Sequence, residues 1–150
     1  MKKYLVTAIS VMFLTIAAVS SQTPNSLREK YGPPDEKGRY LVRPGIGLQV
    51  TYDVDGALAS LIIKPIDDDK TTGPTKRRRT MPRHVGLELL DELVPASHRA
   101  KAIASFSEER GCFSLETKDY PTITTKIATR CERQGGGTYS IQVIRKKTNR

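Results

Sequence analysis

The chain has 150 residues, which is room for one modest domain or two small packed modules and excludes a larger assembly of domains. Its 25 Lys and Arg residues outnumber 16 Asp and Glu residues, and the formal net charge is +9. This charge indicates either anionic partners or a basic surface that only keeps the protein soluble.

The N-terminal segment has the parts of a secretory signal. Two lysines open the chain, residues 4–19 carry no charge, and small residues precede the bond after Ser20. The apolar run is shorter than the roughly 20 residues that a membrane-crossing helix needs. We predict a signal peptide over residues 1–20, cleaved after Ser20 or Ser21, and a periplasmic or secreted product that does not span a membrane. An uncleaved membrane anchor is the alternative.

The first predicted module covers residues 21–66 and begins with a short helix. Asn25 or Ser26 is a suitable N-cap, and Gly32 would end the helix after Tyr31. Residues 40–42 predict a short strand that ends at the Pro44-Gly45 turn.

A β-hairpin follows in the same module. Apolar and polar residues alternate over residues 48–54, which predicts a half-buried strand, and Asp55-Gly56 predicts a two-residue type I′ turn. That register makes every facing pair on one side apolar: Leu48 with Ile63, Val50 with Leu61, Tyr52 with Ala59, and Val54 with Ala57. A slip of one residue would destroy this agreement, so this side of the hairpin is predicted to face the core.

The segment Tyr31-Gly32-Pro33-Pro34-Asp35, together with the hairpin strand and turn over residues 48–58, resembles the second half of small envelope proteins of the BamE/SmpA type. The resemblance covers residues 26–65, and the lipid-attachment cysteine of that family is absent. It implies helices packed on a small antiparallel sheet and a scaffold role in the cell envelope, without catalytic residues. The sheet residues that would contact a partner are Leu48, Val50, Tyr52, Leu61 and Ile63.

Residues 67–80 predict an exposed polar linker, because three aspartates, a Gly-Pro pair and a basic run follow one another. The basic run suits an anionic surface or a protease cleavage site between modules, unless it is simply a solvated run of charge. The residues predicted to bind anions lie in this run, just after it and in the basic tail: Lys76, Arg77, Arg78, Arg79, Arg83, Arg145, Lys146 and Lys147.

The second predicted module covers residues 81–150 and opens with two helices. Val85, Leu89, Leu90 and Leu93 have helical spacing, and Pro95 interrupts the pattern. A second helix is predicted over residues 96–106, with Ala100, Ile103 and Phe106 facing inward. Alternation over residues 123–131 and 139–143 predicts a terminal hairpin.

Cys112 and Cys131 are the two cysteines of the chain. In an oxidising compartment they predict one disulfide, and two buried thiols are the alternative.

Sequence patterns for chemistry are weak. The Asp-Val-Asp-Gly segment at residues 53–56 lacks the further ligands of a calcium loop, and neither His84 nor His98 has a Cys or Asp at metal-ligand spacing. No nucleophile elbow, acid–base pair or phosphate-binding loop is evident. We therefore predict no catalytic residue, no metal site and no cofactor. An enzyme with an unrecognised site is the alternative.

These features predict an α+β protein with short helices packed on small antiparallel sheets, in two small modules joined by a polar linker. Outside the cytoplasm, a basic protein meets envelope proteins, anionic lipids and cell-wall polymers before nucleic acid. The function predicted is that of a non-catalytic binding or scaffold protein of the cell envelope. A peripheral binder of anionic lipid or cell-wall polymer, acting through the basic clusters, is the alternative.

Overall fold

The computed structural model describes residues 22–66 and 79–147. The predicted signal peptide, its cleavage site and linker residues 67–78, with Lys76, Arg77 and Arg78, lie outside the described residues. The described elements are helices and strands with these bounds: α1 Pro24–Tyr31, β1 Arg39–Arg43, β2 Ile46–Tyr52, β3 Leu58–Pro65, α2 Arg83–Leu93, α3 Ala96–Arg99, β4 Ala104–Arg110, β5 Phe113–Asp119, β6 Ile123–Arg130, a 3-10 helix Glu132–Gln134, and β7 Thr138–Arg145.

All seven strands form one antiparallel sheet in the order β1-β2-β3-β7-β6-β5-β4. The fold is therefore mixed α+β, as predicted, but the sheet dominates it. The prediction of separate small sheets is wrong, because the free edge of β3 pairs with β7 and joins the N-terminal hairpin to the terminal one. Leu61 faces Val143 and Ile63 faces Ile141 across this junction.

One hydrophobic core lies between the helices and one face of the sheet. Leu27 of α1 and Leu89 of α2 are buried there against Leu48, Ile63 and Ile141. At the closest approach, a Cβ on Gly86 of α2 would meet the Ile141 side chain at 3.0 Å, so glycine lets the helix sit directly on β7.

The predicted hairpin register is confirmed in the strands and wrong at the turn. Leu48 faces Ile63 and Val50 faces Leu61, but a bulge after Thr51 pairs Tyr52 with Leu58. The loop has three residues, because Asp53 N–H donates to Ala57 C=O while Gly56 N–H donates to Asp53 C=O. Gly56 has φ +78°, the left-handed residue of this loop type, and Val54 is exposed at its tip.

The structure confirms the two helices whose ends the sequence marked, α1 before Gly32 and α2 before Pro95. Helix α1 ends at Gly32 as predicted, but its cap is Thr23, whose side chain accepts from Ser26 N–H. Helix α2 buries Leu89, Leu90 and Leu93 as its spacing predicts.

The predicted helix over residues 96–106 is confirmed for Ala96–Arg99 and wrong for the rest of its length. Helix α3 ends at Arg99, because Ala100 adopts φ +59°, and residues 104–110 form strand β4 instead. Ile103 and Phe106, predicted to face inward, are 68% and 58% exposed. Glu-Glu-Arg favours a helix locally, but the ladder with β5 overrides that preference.

Candidate functional site

The sheet residues predicted to contact a partner belong mainly to the core. Leu48, Leu61 and Ile63 are fully buried, and Val50 and Tyr52 pack against the core from its margin. Since α1 and α2 cover this face, these side chains do not form a surface open to a partner. The hydroxyl of Tyr52 has no hydrogen-bond partner within the described residues, and burial raises its pKa.

The opposite side of the sheet, called here the open face, carries a second set of apolar side chains outside the core cluster. Cross-strand pairing places one continuous row on it: Gln49, Ile62, Gln142, Lys126, Thr117 and Phe106. Neighbouring rows add Leu115 beside Ala128, and Ile144 beside Thr124. Sequence patterns did not indicate this face, because Ile62 lies between two buried residues and a helix was predicted over residues 96–106.

One end of the open face carries an aromatic and guanidinium cluster. The rings of Phe113 and Tyr139 lie 6.1 Å apart. The guanidinium carbon of Arg130 lies 5.0 Å from the centroid of the Tyr139 ring, and Arg130 Nε donates to the Tyr139 hydroxyl at 2.8 Å. These contacts hold a guanidinium cation next to an aromatic ring, where the two attract each other electrostatically.

A cleft of about 430 Å³ lies where the N-terminal segment meets the chain after residue 78. Arg79 and Arg130 contribute its two charged side chains, and prolines 44, 65 and 82 contribute much of the remaining wall. Of those residues predicted to bind anions that the structure describes, only Arg79 lines this cleft. Arg130 was not predicted to bind anions, because it belongs to a strand pattern and is distant in sequence from the basic run.

The other described basic residues of the prediction lie elsewhere. Arg83 forms an ion pair with Glu116 at 3.0 Å, and Lys146 approaches Asp119 at 3.4 Å. Hydrogen bonds from Lys118 and Arg83 lower the pKa of Glu116 despite partial burial. Arg145 and Lys147 are exposed at the end of β7. The described residues therefore do not form one basic cluster.

Cys112 and Cys131 form a disulfide, with their Cα atoms 4.9 Å apart. This pairing was predicted, and it fixes the turn between β4 and β5 to the end of β6. Cys131 N–H also donates to Cys112 C=O at 3.1 Å.

Within residues 22–66 and 79–147, no group of three His, Cys, Asp or Glu side chains is arranged to hold a metal ion. None of the described helices is long and apolar enough to span a membrane.

Comparison with protein-family models, with curated proteins and with solved structures gives no match to this chain. The resemblance to BamE/SmpA-type proteins therefore stays a prediction from residues 26–65.

Proposed function

We propose that the chain is an exported, non-catalytic binding or scaffold protein of the cell envelope, which contacts a protein partner through the open face. The observation that carries this proposal is the division of the sheet into two faces. Helices α1 and α2 contribute to a core on one face, whereas apolar side chains on the other face lie outside that core. Phe106 and Phe113 on the open face are 58% and 38% exposed.

The chemistry of the open face suits a protein partner better than a polymer of uniform charge. Ile62, Leu115 and Ile144 provide apolar contact, while Lys126 and Arg130, which contacts Tyr139, add separated positive groups. Interfaces commonly combine apolar and aromatic anchors with arginine in this way. A disulfide supports a location outside the reducing cytoplasm.

Site-specific photocrosslinking in the producing cells tests the proposal. A photoreactive side chain would replace Phe113 or Lys126 on the open face, and the matched control would replace Glu88, which is exposed on α2. We expect one protein to be captured from both open-face positions and not from Glu88. Capture from Glu88 alone, or from no position, would contradict the proposal.

A second candidate function is binding of anionic lipid or cell-wall polymer, which the two arginines of the cleft favour. Guanidinium groups bind phosphate and carboxylate oxygens through several directed N–H groups. Binding of this kind should weaken as ionic strength rises, because exposed charges are screened.

Vesicles containing phosphatidylglycerol, compared with vesicles of phosphatidylcholine alone, test this second function with the purified protein. Arg79→Gln should weaken binding to the anionic vesicles, whereas Lys101→Gln, an exposed change outside the lining of the cleft, should have little effect. If Arg79→Gln binds as the native protein does at low and high salt, the cleft is not the binding site.

A further inference from the structure

The two edges of the sheet differ in how well they are protected from pairing with another strand. Strand β1 has five residues and a register shift between Leu41 and Arg43, and both its end residues are arginines. Short length and irregularity both hinder further pairing, whereas charge does not distinguish the two edges, because β4 also carries charged residues. Strand β4 has seven residues in unbroken register with β5, and it contains neither proline nor lysine. Six of the seven are exposed, so β4 is the less protected edge.

Hydrogen bonding defines which backbone groups β4 offers. Cys131 N–H donates to Cys112 C=O, so the backbone groups of Cys112 point toward β6. Because these directions alternate along a strand, the N–H and C=O of the next residue, Phe113, point toward β4, where Phe113 faces Arg110. Alternation along the strand then points the N–H and C=O groups of Ser105, Ser107 and Glu109 outward. These groups can form a further antiparallel ladder.

The side chains of β4 fit a second copy of the same strand. With Ser107 opposite Ser107 of the second copy, all three outward-facing residues form hydrogen-bonded pairs. Phe106 then faces Glu108 and Ala104 faces Arg110, so no like charges stand directly opposite. The two Phe106 rings become diagonal neighbours on one face, a distance that aromatic side chains can bridge.

In this register, charged side chains on β4 of one copy also lie near opposite charges on β5 of the other copy. Asp119 of β5 pairs with Ala104, and Lys118 pairs with Ser105. Arg110 of one copy would therefore reach across Ala104 toward Asp119, and Glu109 would reach across Ser105 toward Lys118. Two strand spacings are about 10 Å, and the small intervening residues leave that space open. Strand β4 carries Glu108, Glu109 and Arg110, a local charge of −1 in a basic protein, so the edge limits repulsion between copies.

We propose that two copies of the chain pair antiparallel through β4 and join their sheets into one continuous sheet. The proposal does not depend on the open face binding a partner, because it uses only the backbone edge and the side chains beside it.

Sedimentation of the purified protein with substitutions at Ser107 tests this pairing. Ser107→Pro removes an outward N–H without touching the ladder to β5, and edge strands tolerate proline. Ser107→Thr is the control, because it retains the N–H and favours strand structure. We expect a dimer for the native protein and for Ser107→Thr. Ser107→Pro should raise the dimer dissociation constant at least about tenfold, since it loses two hydrogen bonds at the centre of the interface.

A second variant, with a changed charge, tests the β4 pairing even if Ser107→Pro does not fold. Glu109→Lys places like charges near Lys118 of the second copy, and it should also weaken the dimer by on the order of tenfold. Far-ultraviolet circular dichroism would verify that each variant folds. A native protein that stays monomeric throughout the micromolar range would overturn the proposal. So would folded Ser107→Pro and Glu109→Lys variants that dimerise as the native chain does.

Discussion

Glu92 of α2 connects three parts of the protein through its carboxylate. It accepts a hydrogen bond from the Tyr31 hydroxyl at 2.5 Å, and it pairs with Lys30 at 2.9 Å and Arg43 at 2.6 Å. Burial by itself raises the pKa of Glu92, but these three donors outweigh it and lower the pKa from 4.5 to about 2. Partial burial, and next the hydrogen bond to Glu92, raise the pKa of Tyr31. One carboxylate therefore fastens α1 and β1 to α2.

Glu92→Gln should reduce the free energy of unfolding by about 1–3 kcal/mol at neutral pH, because charged hydrogen bonds become neutral or are lost. The folded pKa is depressed, so the ionised carboxylate stabilises the protein fully above pH 4.5, and this contribution is lost as the pH falls toward 2. The difference between native and variant should therefore shrink in acid. Urea unfolding at several pH values measures it, with exposed Glu88→Gln as the control. A difference that is independent of pH would contradict this role of Glu92.

At the scale of elements, strands β4 and β5 show where local preference and tertiary pairing disagree. Residues 96–106 contain good helix formers, and a helix there would satisfy local preference. The sheet gives Ala104–Arg110 seven pairs with β5 instead. Strand β5 is held in turn by β6, and the disulfide from Cys112 to Cys131 closes that end of the ladder. Cross-linking of the β4–β5 turn thus supports the edge strand that we propose as a dimer interface.

Removing the disulfide with Cys112→Ser and Cys131→Ser should lower the free energy of unfolding by about 3 kcal/mol, since the bond closes a loop of intermediate length. The native protein unfolded with and without a reducing agent gives the matched comparison. Hydrogen exchange should increase most in β4 and β5, which lie on the outer side of the bond. An unchanged stability after reduction would show that the strands do not depend on the bond.

At the scale of the whole molecule, the pairing of β3 with β7 determines how the two predicted modules relate. Residues from both segments share one core: Ile63 is buried beside Ile141, and α2 packs over them. Glu92 provides a second connection between the segments. Because both halves bury surface against each other, neither core is complete alone.

We therefore expect one cooperative unfolding transition. Ile141→Ala should cost about 2–5 kcal/mol through the cavity it leaves, and it should lower hydrogen-exchange protection in β2 and β3 as much as in β6 and β7. Ile62→Ala is the control, because Ile62 lies next to Ile63 but on the open face and outside the core cluster. Loss of protection confined to β6 and β7 would instead indicate two independent modules.

The sequence predicted correctly those structural features that depend on a pattern of a few neighbouring residues or on the two cysteines. The alternation around Leu48 and Val50 predicted the strand register, because that register pairs Leu48 with Ile63 and Val50 with Leu61 on one side of the hairpin. Spacing predicted α2, Gly32 marked the end of α1, and the two cysteines predicted their own bond. Each of these results depends on periodicity, capping or cysteine number.

Only the tertiary structure decided which surface remains outside the core and how the hairpins join. The hairpin pattern predicted that Leu61 and Ile63 face the core, but whether the opposite side with Ile62 is also covered depends on where α1 and α2 pack. Strand β7, which pairs with β3, lies about 80 residues further along the chain. Backbone hydrogen bonds between strands contain no sequence code for such a distant pairing. The sequence by itself determined a disulfide-linked α+β chain, because these features depend on local patterns and on the number of cysteines. The single sheet, its open face and its exposed edge at β4 depend on pairing between distant strands, so only the tertiary structure decided them.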